Sequence, residues 1–116
     1  MPGDQVLVAP AVPGGTGIGL ALVGDFDLTA RRCLAAALED ARDADSDVHI
    51  DLSRVTFVDV GSLAVLTEAC RTMPDGRRMY LHSPPAQVCR TIDVLWPTLG
   101  GLEIVTAIGG GDERAI

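Results

Sequence analysis

The pattern of hydrophobic and polar positions is most informative between Val48 and Leu66, which reads VHIDLSRVTFVDVGSLAVL. Its first part, Val48 to Leu52, is a short apolar run with one aspartate inside it, and such a run is typical of a strand buried on both faces. From Leu63 onward, apolar residues recur every three or four positions, which predicts one stripe of an amphipathic helix. The stripe consists of Leu63, Leu66, Cys70 and Met73. The segment therefore predicts a strand, a tight loop and the start of a helix.

The predicted helix start lies between Asp59 and Ser62. Backbone amides without partners give such a start a partial positive charge. Asp59 can cap these amides, and Gly61 lets another group approach the backbone closely. Two interpretations stay open on the residues alone. Asp59 is only an N-cap, which is the more common case, or the exposed acidic start of the helix is a binding site.

The same pattern predicts the other elements along the chain. Short strands are expected at Gln5–Ala9 and Gly17–Val23, with a turn-rich connection, and again at Met79–His82 and Leu102–Thr106. Two further helices are predicted, the first capped by Asp27 or Thr29 and the last capped by Ser83 with a proline in its first turn. Their apolar stripes are Leu34, Leu38 and Ala41 in the first, and Val88, Ile92 and Leu95 in the last.

The order of predicted elements is strand, strand, helix, strand, helix, strand, helix, strand. Parallel strands joined by right-handed helical crossovers follow from this order. If consecutive strands are also neighbours in the sheet, every helix packs on the same face. The fold class predicted is therefore α/β, with a mostly parallel sheet.

Composition narrows the function. The chain has 116 residues, a net charge of −7 and 47% hydrophobic residues, so one domain with a substantial core is expected. Aromatic residues make up 3%, which argues against stacking platforms for bases. The negative charge also disfavours nucleic acid and suits a basic protein partner. We predict no nucleic-acid binding.

The cysteines and the N-terminal residues indicate in which cellular compartment the protein is expected. Cys33, Cys70 and Cys89 have neither a short pairing nor a metal-binding spacing, and each falls on a predicted helix, so buried free thiols are expected. No segment approaches the ~20 apolar residues of a membrane span. The N-terminus has no basic stretch before its apolar run, unlike a secretion signal. The expectation is a cytoplasmic protein with no direct membrane insertion.

The sequence contains no recognisable catalytic constellation. His49 and His82 fall on strands that would be adjacent in a parallel sheet, but no nucleophile accompanies either at a motif spacing. A structural role is the more common one for such histidines. The glycines at 14, 15, 17 and 19 do not match nucleotide-binding spacing, and no lysine follows them. We predict no enzyme activity, no cofactor and no metal site.

Three stretches in the right order resemble the STAS domain family, which comprises anti-sigma factor antagonists and sulphate-transporter tails. The central stretch DLSRVTFVDVGSLAVL resembles the family's strand ending in DLS, followed by Asp-Ser-Ser-Gly-Leu at a helix start. GDFDLTA, Gly24 to Ala30, is similar to the family's Gly-Glu-Leu-Asp turn, and Leu81 to Leu102 is similar to its third helix and exit. The resemblance covers most of the chain, from about Asp4 to Ala107.

The resemblance implies a fold and a domain. The fold is a single STAS-like domain at residues 4–107, a five-stranded sheet with an antiparallel N-terminal edge strand and helices on one face. Residues 108–116 are expected to form a flexible tail. The first strand is an exposed edge, so a homodimer is possible.

The resemblance also implies a protein-interaction module without catalysis. The partner would be an anti-sigma factor with a serine-kinase fold, bound at the helix start and the neighbouring turn. The alternatives left open are a small regulatory subunit of a membrane-transporter ATPase and a ligand-sensing domain. The predicted partner-binding residues are Asp27, Phe57, Asp59, Val60, Gly61, Ser62 and Leu63.

One position departs from the family pattern. Val60 stands directly after the aspartate, where the antagonists carry the serine that is phosphorylated. Valine has no hydroxyl and cannot accept a phosphate. Ser62 is the remaining candidate for phosphorylation at the helix start. The sequence therefore predicts an interaction without the family's usual switch.

Overall fold

The structure is a computed structural model, which describes the backbone of residues 7–11, 18–43, 46–74 and 76–105 and, from residue 18 onward, the side chains. The predicted domain limits at residues 4 and 107, and the predicted tail at 108–116, lie outside the described residues. They stay predictions.

The described strands form one sheet in the order β1-β2-β3-β4-β5. The four strands from β2 to β5 are parallel, and β1 pairs with β2 in the antiparallel sense. A helix follows each of β2, β3 and β4 and leads to the next strand. The predicted α/β fold, with a parallel sheet and three helices, is confirmed. The strands are β1 (Leu7–Ala11), β2 (Ile18–Phe26), β3 (Val48–Val58), β4 (Met79–His82) and β5 (Leu102–Val105), and the helices are α1 (Arg31–Asp43), α2 (Val60–Arg71) and α3 (Ala86–Leu95).

The core lies between the helices and one face of the sheet. In β3, Val48, Ile50 and Leu52 are buried, whereas His49 and Asp51 between them are only half-buried. Because side chains alternate between the faces of a strand, this pattern marks one covered and one uncovered face. The prediction that this strand is buried on both faces is therefore wrong. The helices contribute most of their predicted apolar stripes to the same core, chiefly Leu34, Leu38, Leu63, Leu66, Val88 and Ile92. Leu95, predicted for the stripe of α3, is 49% exposed at the last position of that helix, so the prediction is wrong for this residue.

The central strand is longer than its apolar run predicted. Pairing with β2 continues beyond Leu52 to Val58, through two irregularities in the register. Gly24 lies at the second irregularity with φ +100°, a conformation that glycine adopts without strain. The extension replaces the predicted loop, because α2 begins at Val60, two residues after the strand ends. Only Asp59 thus separates the end of the strand from the start of the helix.

The start of α3 differs from the prediction. Its N-cap residue is Pro85, with no side-chain capping bond, and Ser83 lies before it in a left-handed conformation with φ +54°. The amide of Ser83 instead donates to the carbonyl of Val105, at 2.7 Å. Ser83 therefore ends β4 and ties it to β5, and it does not cap the helix.

The cysteines are free, but they are not uniformly buried. Cys70 is buried, Cys89 is half-buried and Cys33 is exposed. The prediction of buried thiols is wrong for Cys33, which lies on α1 beside the buried stripe and not in it. Trp96, after α3, is half-buried and packs against the core.

Two leucines on neighbouring segments give a test of the core. Leu34 is fully buried in α1, whereas Leu28, just before that helix, is 71% exposed. We expect Leu34→Ala to lower the free energy of unfolding by about 2–5 kcal/mol, because it leaves a cavity. Leu28→Ala should change it by less than about 0.5 kcal/mol. Urea denaturation followed by circular dichroism measures both, and equal losses would contradict the core assignment.

Candidate functional site

The candidate site is at the carboxyl ends of β2 and β3, where α2 begins. Asp59 is the single residue between β3 and α2. Its amide donates to the carbonyl of Phe26 at the end of β2, at 3.0 Å. Its carboxylate Oδ1 accepts from the backbone amide of Ser62, at 2.8 Å, and so caps the helix. Asp59 is therefore held at both ends, by the sheet through its backbone and by the helix through its side chain.

Arg31, the first residue of α1, completes this arrangement. Its guanidinium Nη2 donates to Oδ2 of Asp59, at 2.9 Å, and both side chains are partly exposed. The guanidinium passes over Gly61, where any β-carbon would collide with it. Gly61 is thus the position that leaves room for the contact between Arg31 and Asp59. The sequence predicted a close approach at Gly61, but it did not point to Arg31, which is 28 residues from Asp59 in the chain.

The ionisation of Asp59 reflects these contacts. Partial burial by itself raises the pKa of the carboxyl group. The hydrogen bonds from Ser62 and Arg31, with the positive charge of Arg31, outweigh that effect, and the pKa of Asp59 lies below its ordinary value. The side chain is therefore a carboxylate at neutral pH, as an N-cap on the positive end of a helix should be.

Large apolar side chains are exposed around this pair. Phe57 is 43% exposed and Val60 is 54% exposed. Leu28, in a short 3-10 turn (Leu28–Ala30) that contacts α2, is 71% exposed. We call these three residues, together with Arg31 and Asp59, the helix-start surface. Leu28 was not among the predicted site residues. It is a large apolar residue outside the predicted stripe of α1, and this could have indicated an exposed position.

The other predicted site residues divide between surface and core. Asp27 is exposed, and its carboxylate accepts from the amide and the hydroxyl of Thr29, so it caps the 3-10 turn. Ser62 and Leu63 are buried, at 0% and 2% exposure. The hydroxyl of Ser62 has no hydrogen-bond partner among the described residues. Phe57 and Val60 are thus exposed, Asp59 and Gly61 are half-buried, and Ser62 and Leu63 are buried.

No helix in the described part of the chain is long and apolar enough to cross a membrane. Among the same residues, no three side chains of histidine, cysteine, aspartate or glutamate are grouped so that they could hold a metal ion. The helix-start surface offers apolar area, a carboxylate and a guanidinium.

The cap at Asp59 can be tested by two substitutions. Asp59→Ala removes both the cap and the ion pair, and we expect it to lower the free energy of unfolding by about 1–2 kcal/mol. Asp59→Asn keeps an oxygen that can cap the helix and loses only the charge, so it should cost less than about 1 kcal/mol. Urea denaturation at neutral pH measures both.

The pH dependence of the stability of the wild type and of D59N tests whether the charge of Asp59 contributes. Because the pKa of Asp59 is lowered on folding, its charge stabilises the folded state above the ordinary pKa of aspartate. That contribution is lost as the pH falls through the lowered pKa. The stability difference between the wild type and D59N should therefore shrink below about pH 4. A difference that stays constant from neutral to acid pH would show that the charge of Asp59 does not contribute.

Comparison with known proteins places this geometry in a family. A sequence profile described as "Mlab, STAS domain" matches residues 14–95. No sequence among the curated proteins matches the chain significantly.

Solved structures share the fold. The unphosphorylated form of the anti-sigma factor antagonist SpoIIAA is similar with a TM-score of 0.69 at 14% identity, over 89% of this chain and 91% of that one. The phosphorylated form of SpoIIAA from Bacillus gives 0.66 at 15% identity, over 86% and 92%. An uncharacterised protein with a SpoIIAA-like fold from Shewanella loihica gives 0.55 at 12%, over 89% and 87%.

The profile covers well over half of the chain, and the structural matches show the SpoIIAA-like fold over nearly all of it. The chain therefore belongs to the STAS domain family.

Proposed function

We propose that this STAS domain is a non-catalytic interaction module that binds an anti-sigma factor of serine-kinase fold through its helix-start surface. Binding at this surface does not depend on phosphorylation of the module. The observation that carries the proposal is the exposure of Val60, an apolar side chain at the first position of α2, held at the surface by the capped Asp59 beside it.

The composition of the surface supports contact with a protein. Leu28, Phe57 and Val60 offer apolar area that water solvates poorly, and exposed apolar clusters rimmed by polar groups mark interaction sites. Asp27 supplies negative charge beside it, Asp59 is paired with Arg31, and the whole chain carries a net charge of −7. A partner with apolar and basic residues in its own surface fits this arrangement.

The geometry of the helix start favours an interaction without a switch. Val60 has no hydroxyl, and the hydroxyl of Ser62 is in the core, out of reach of a kinase. Phosphate at position 62 would place about two negative charges among apolar side chains and would disrupt the domain. We therefore propose that Ser62 is not a phosphorylation site in the folded protein. Leu63 acts as a core residue under the surface and does not touch the partner.

A charge at position 60 tests the docking surface. We expect Val60→Asp to weaken binding to the anti-sigma factors of the source organism at least about tenfold, which corresponds to about 1.4 kcal/mol. An acidic residue at the start of a helix interacts favourably with the helix dipole, so the variant should fold. Isothermal titration calorimetry with the purified partner measures the affinity.

The matched control is Val94→Asp, which places the same charge on a valine that is 74% exposed on α3. Its affinity should equal that of the wild type. If V60D binds as tightly as the wild type, the helix-start surface is not the interface. If no anti-sigma factor binds the wild type, the partner assignment is wrong, and co-purification of a transporter ATPase would identify the alternative regulatory role.

Restoring a hydroxyl tests the absence of the switch. On incubation with a serine-kinase partner and ATP, the wild type should take up no phosphate at the helix start, because its accessible position lacks an acceptor. Val60→Ser should become phosphorylated at position 60, and its affinity should then fall. Mass spectrometry of peptides locates the phosphate. Stoichiometric phosphate on Ser62 of the wild type would contradict the proposal.

A further inference from the structure

The uncovered face of the sheet carries both histidines of the chain. His49 on β3 is paired in register with Tyr80 on β4, and Asp51 is paired with His82. Residues paired across neighbouring strands lie on the same face, so all four side chains are on the side away from the helices. Each is half-buried, because no described helix covers this face. The helix-start surface is at the ends of β2 and β3 and does not include these residues.

The two imidazole rings are in direct contact. Nδ1 of His49 and Nε2 of His82 are 2.9 Å apart, which is a hydrogen-bond distance. The ring centroids are 5.1 Å apart and the planes are tilted by 31°, so the two nitrogens point towards each other. The ring of Tyr80 stacks on His49, with centroids 4.6 Å apart and planes within 12°. The stacked ring of Tyr80 and the hydrogen bond to His82 both restrict the orientation of the His49 ring in the metal-free protein.

The separation of these nitrogens matches that of two ligands of one metal ion. Zinc binds imidazole nitrogen at about 2.0–2.1 Å. Two such nitrogens are therefore about 2.9–3.4 Å apart when the N–Zn–N angle lies between a right angle and the tetrahedral angle. The observed 2.9 Å is within that range. Neutral imidazole is also the nitrogen ligand that zinc, copper and nickel share. The backbone register therefore brings two such nitrogens within the separation of a chelating pair, although in the metal-free protein they face each other and the rings must turn to face a common ion.

We propose that His49 and His82 form a two-histidine site for a divalent transition metal of the zinc, copper or nickel type. His49 binds through Nδ1 and His82 through Nε2. Because no group of three ligands exists among the described residues, water fills the remaining coordination positions. Asp51 does not complete a group of three ligands with the two histidines among the described residues, and its carboxylate accepts from the amide of Ser53, at 2.9 Å.

Metal binding replaces the hydrogen bond between His49 and His82 without changing the number of protons on the two rings. In the metal-free pair, one ring nitrogen donates its proton to the lone pair of the other. When the metal enters, the donor ring carries that proton on its other nitrogen, so both contacting nitrogens have free lone pairs. The rings turn from facing each other to facing the ion. A neutral pair therefore releases no net proton.

Zinc titration followed by nitrogen NMR of the histidine rings tests the site. The chain has two histidines, so only two sets of ring signals occur, and through-bond correlations to the assigned backbone distinguish them. The Cys33→Ser background removes the exposed thiol, which is a competing zinc ligand. At neutral pH we expect Zn²⁺ to shift Nδ1 of His49 and Nε2 of His82 together, with one ion per chain. Mg²⁺, which prefers oxygen ligands, should shift neither.

Single substitutions provide the control. His49→Gln and His82→Gln should each weaken zinc binding at least about tenfold, since each removes one of two ligands. Glu103→Gln should leave the zinc affinity unchanged, because Glu103 is not one of the two ligands. This control removes a carboxylate from the same face of the sheet, where Glu103 pairs in register with Tyr80. The site is overturned if only one ring responds, if the other nitrogens respond, or if the affinity survives both histidine substitutions. The NMR result on the unsubstituted histidines stands even if a glutamine variant fails to fold.

Discussion

The carboxylate of Asp59 is the contact on which the arrangement of this domain's surface depends. One of its oxygens accepts from the Ser62 amide and the other from the Arg31 guanidinium, while its own backbone amide bonds to the end of β2. It therefore ties α1, α2 and two strands together at one point. A helix start needs such an acceptor because its first amides have no partners within the helix. Here that local requirement also fixes the geometry of the exposed surface.

The position of Val60 follows directly from this cap. With the helix starting at residue 60, successive side chains are rotated by about 100° around the helix axis, so residue 62 lies on roughly the opposite side from residue 60. Val60 is therefore exposed and Ser62 is buried. A hydroxyl moved along the chain by two positions is thus moved from the surface into the core. The change from Ser-Ser-Gly in the family pattern to Val-Gly-Ser here is a change of environment as well as of order.

The sheet presents two faces with different chemistry. The face under the helices is apolar and carries the core, while the uncovered face carries histidine, tyrosine and carboxylate side chains. Alternation along β3 assigns these roles, since His49 and Asp51 lie between buried residues. The two histidines on the uncovered face are not among the residues of the helix-start surface.

The sequence by itself determined the elements and their order, because the spacing of apolar residues reports which side chains face the core. It also determined that a helix starts between Asp59 and Ser62 and that Val60 lacks a hydroxyl, since both are local properties of the chain. Only the tertiary structure decided which residues meet across long separations, because those distances depend on strand register and helix packing. Arg31 reaches Asp59 over Gly61, Leu28 joins the exposed surface, and His49 contacts His82, all through register and packing. The burial of Ser62 was likewise decided by the residue at which α2 begins, which the apolar pattern alone left uncertain by a few positions.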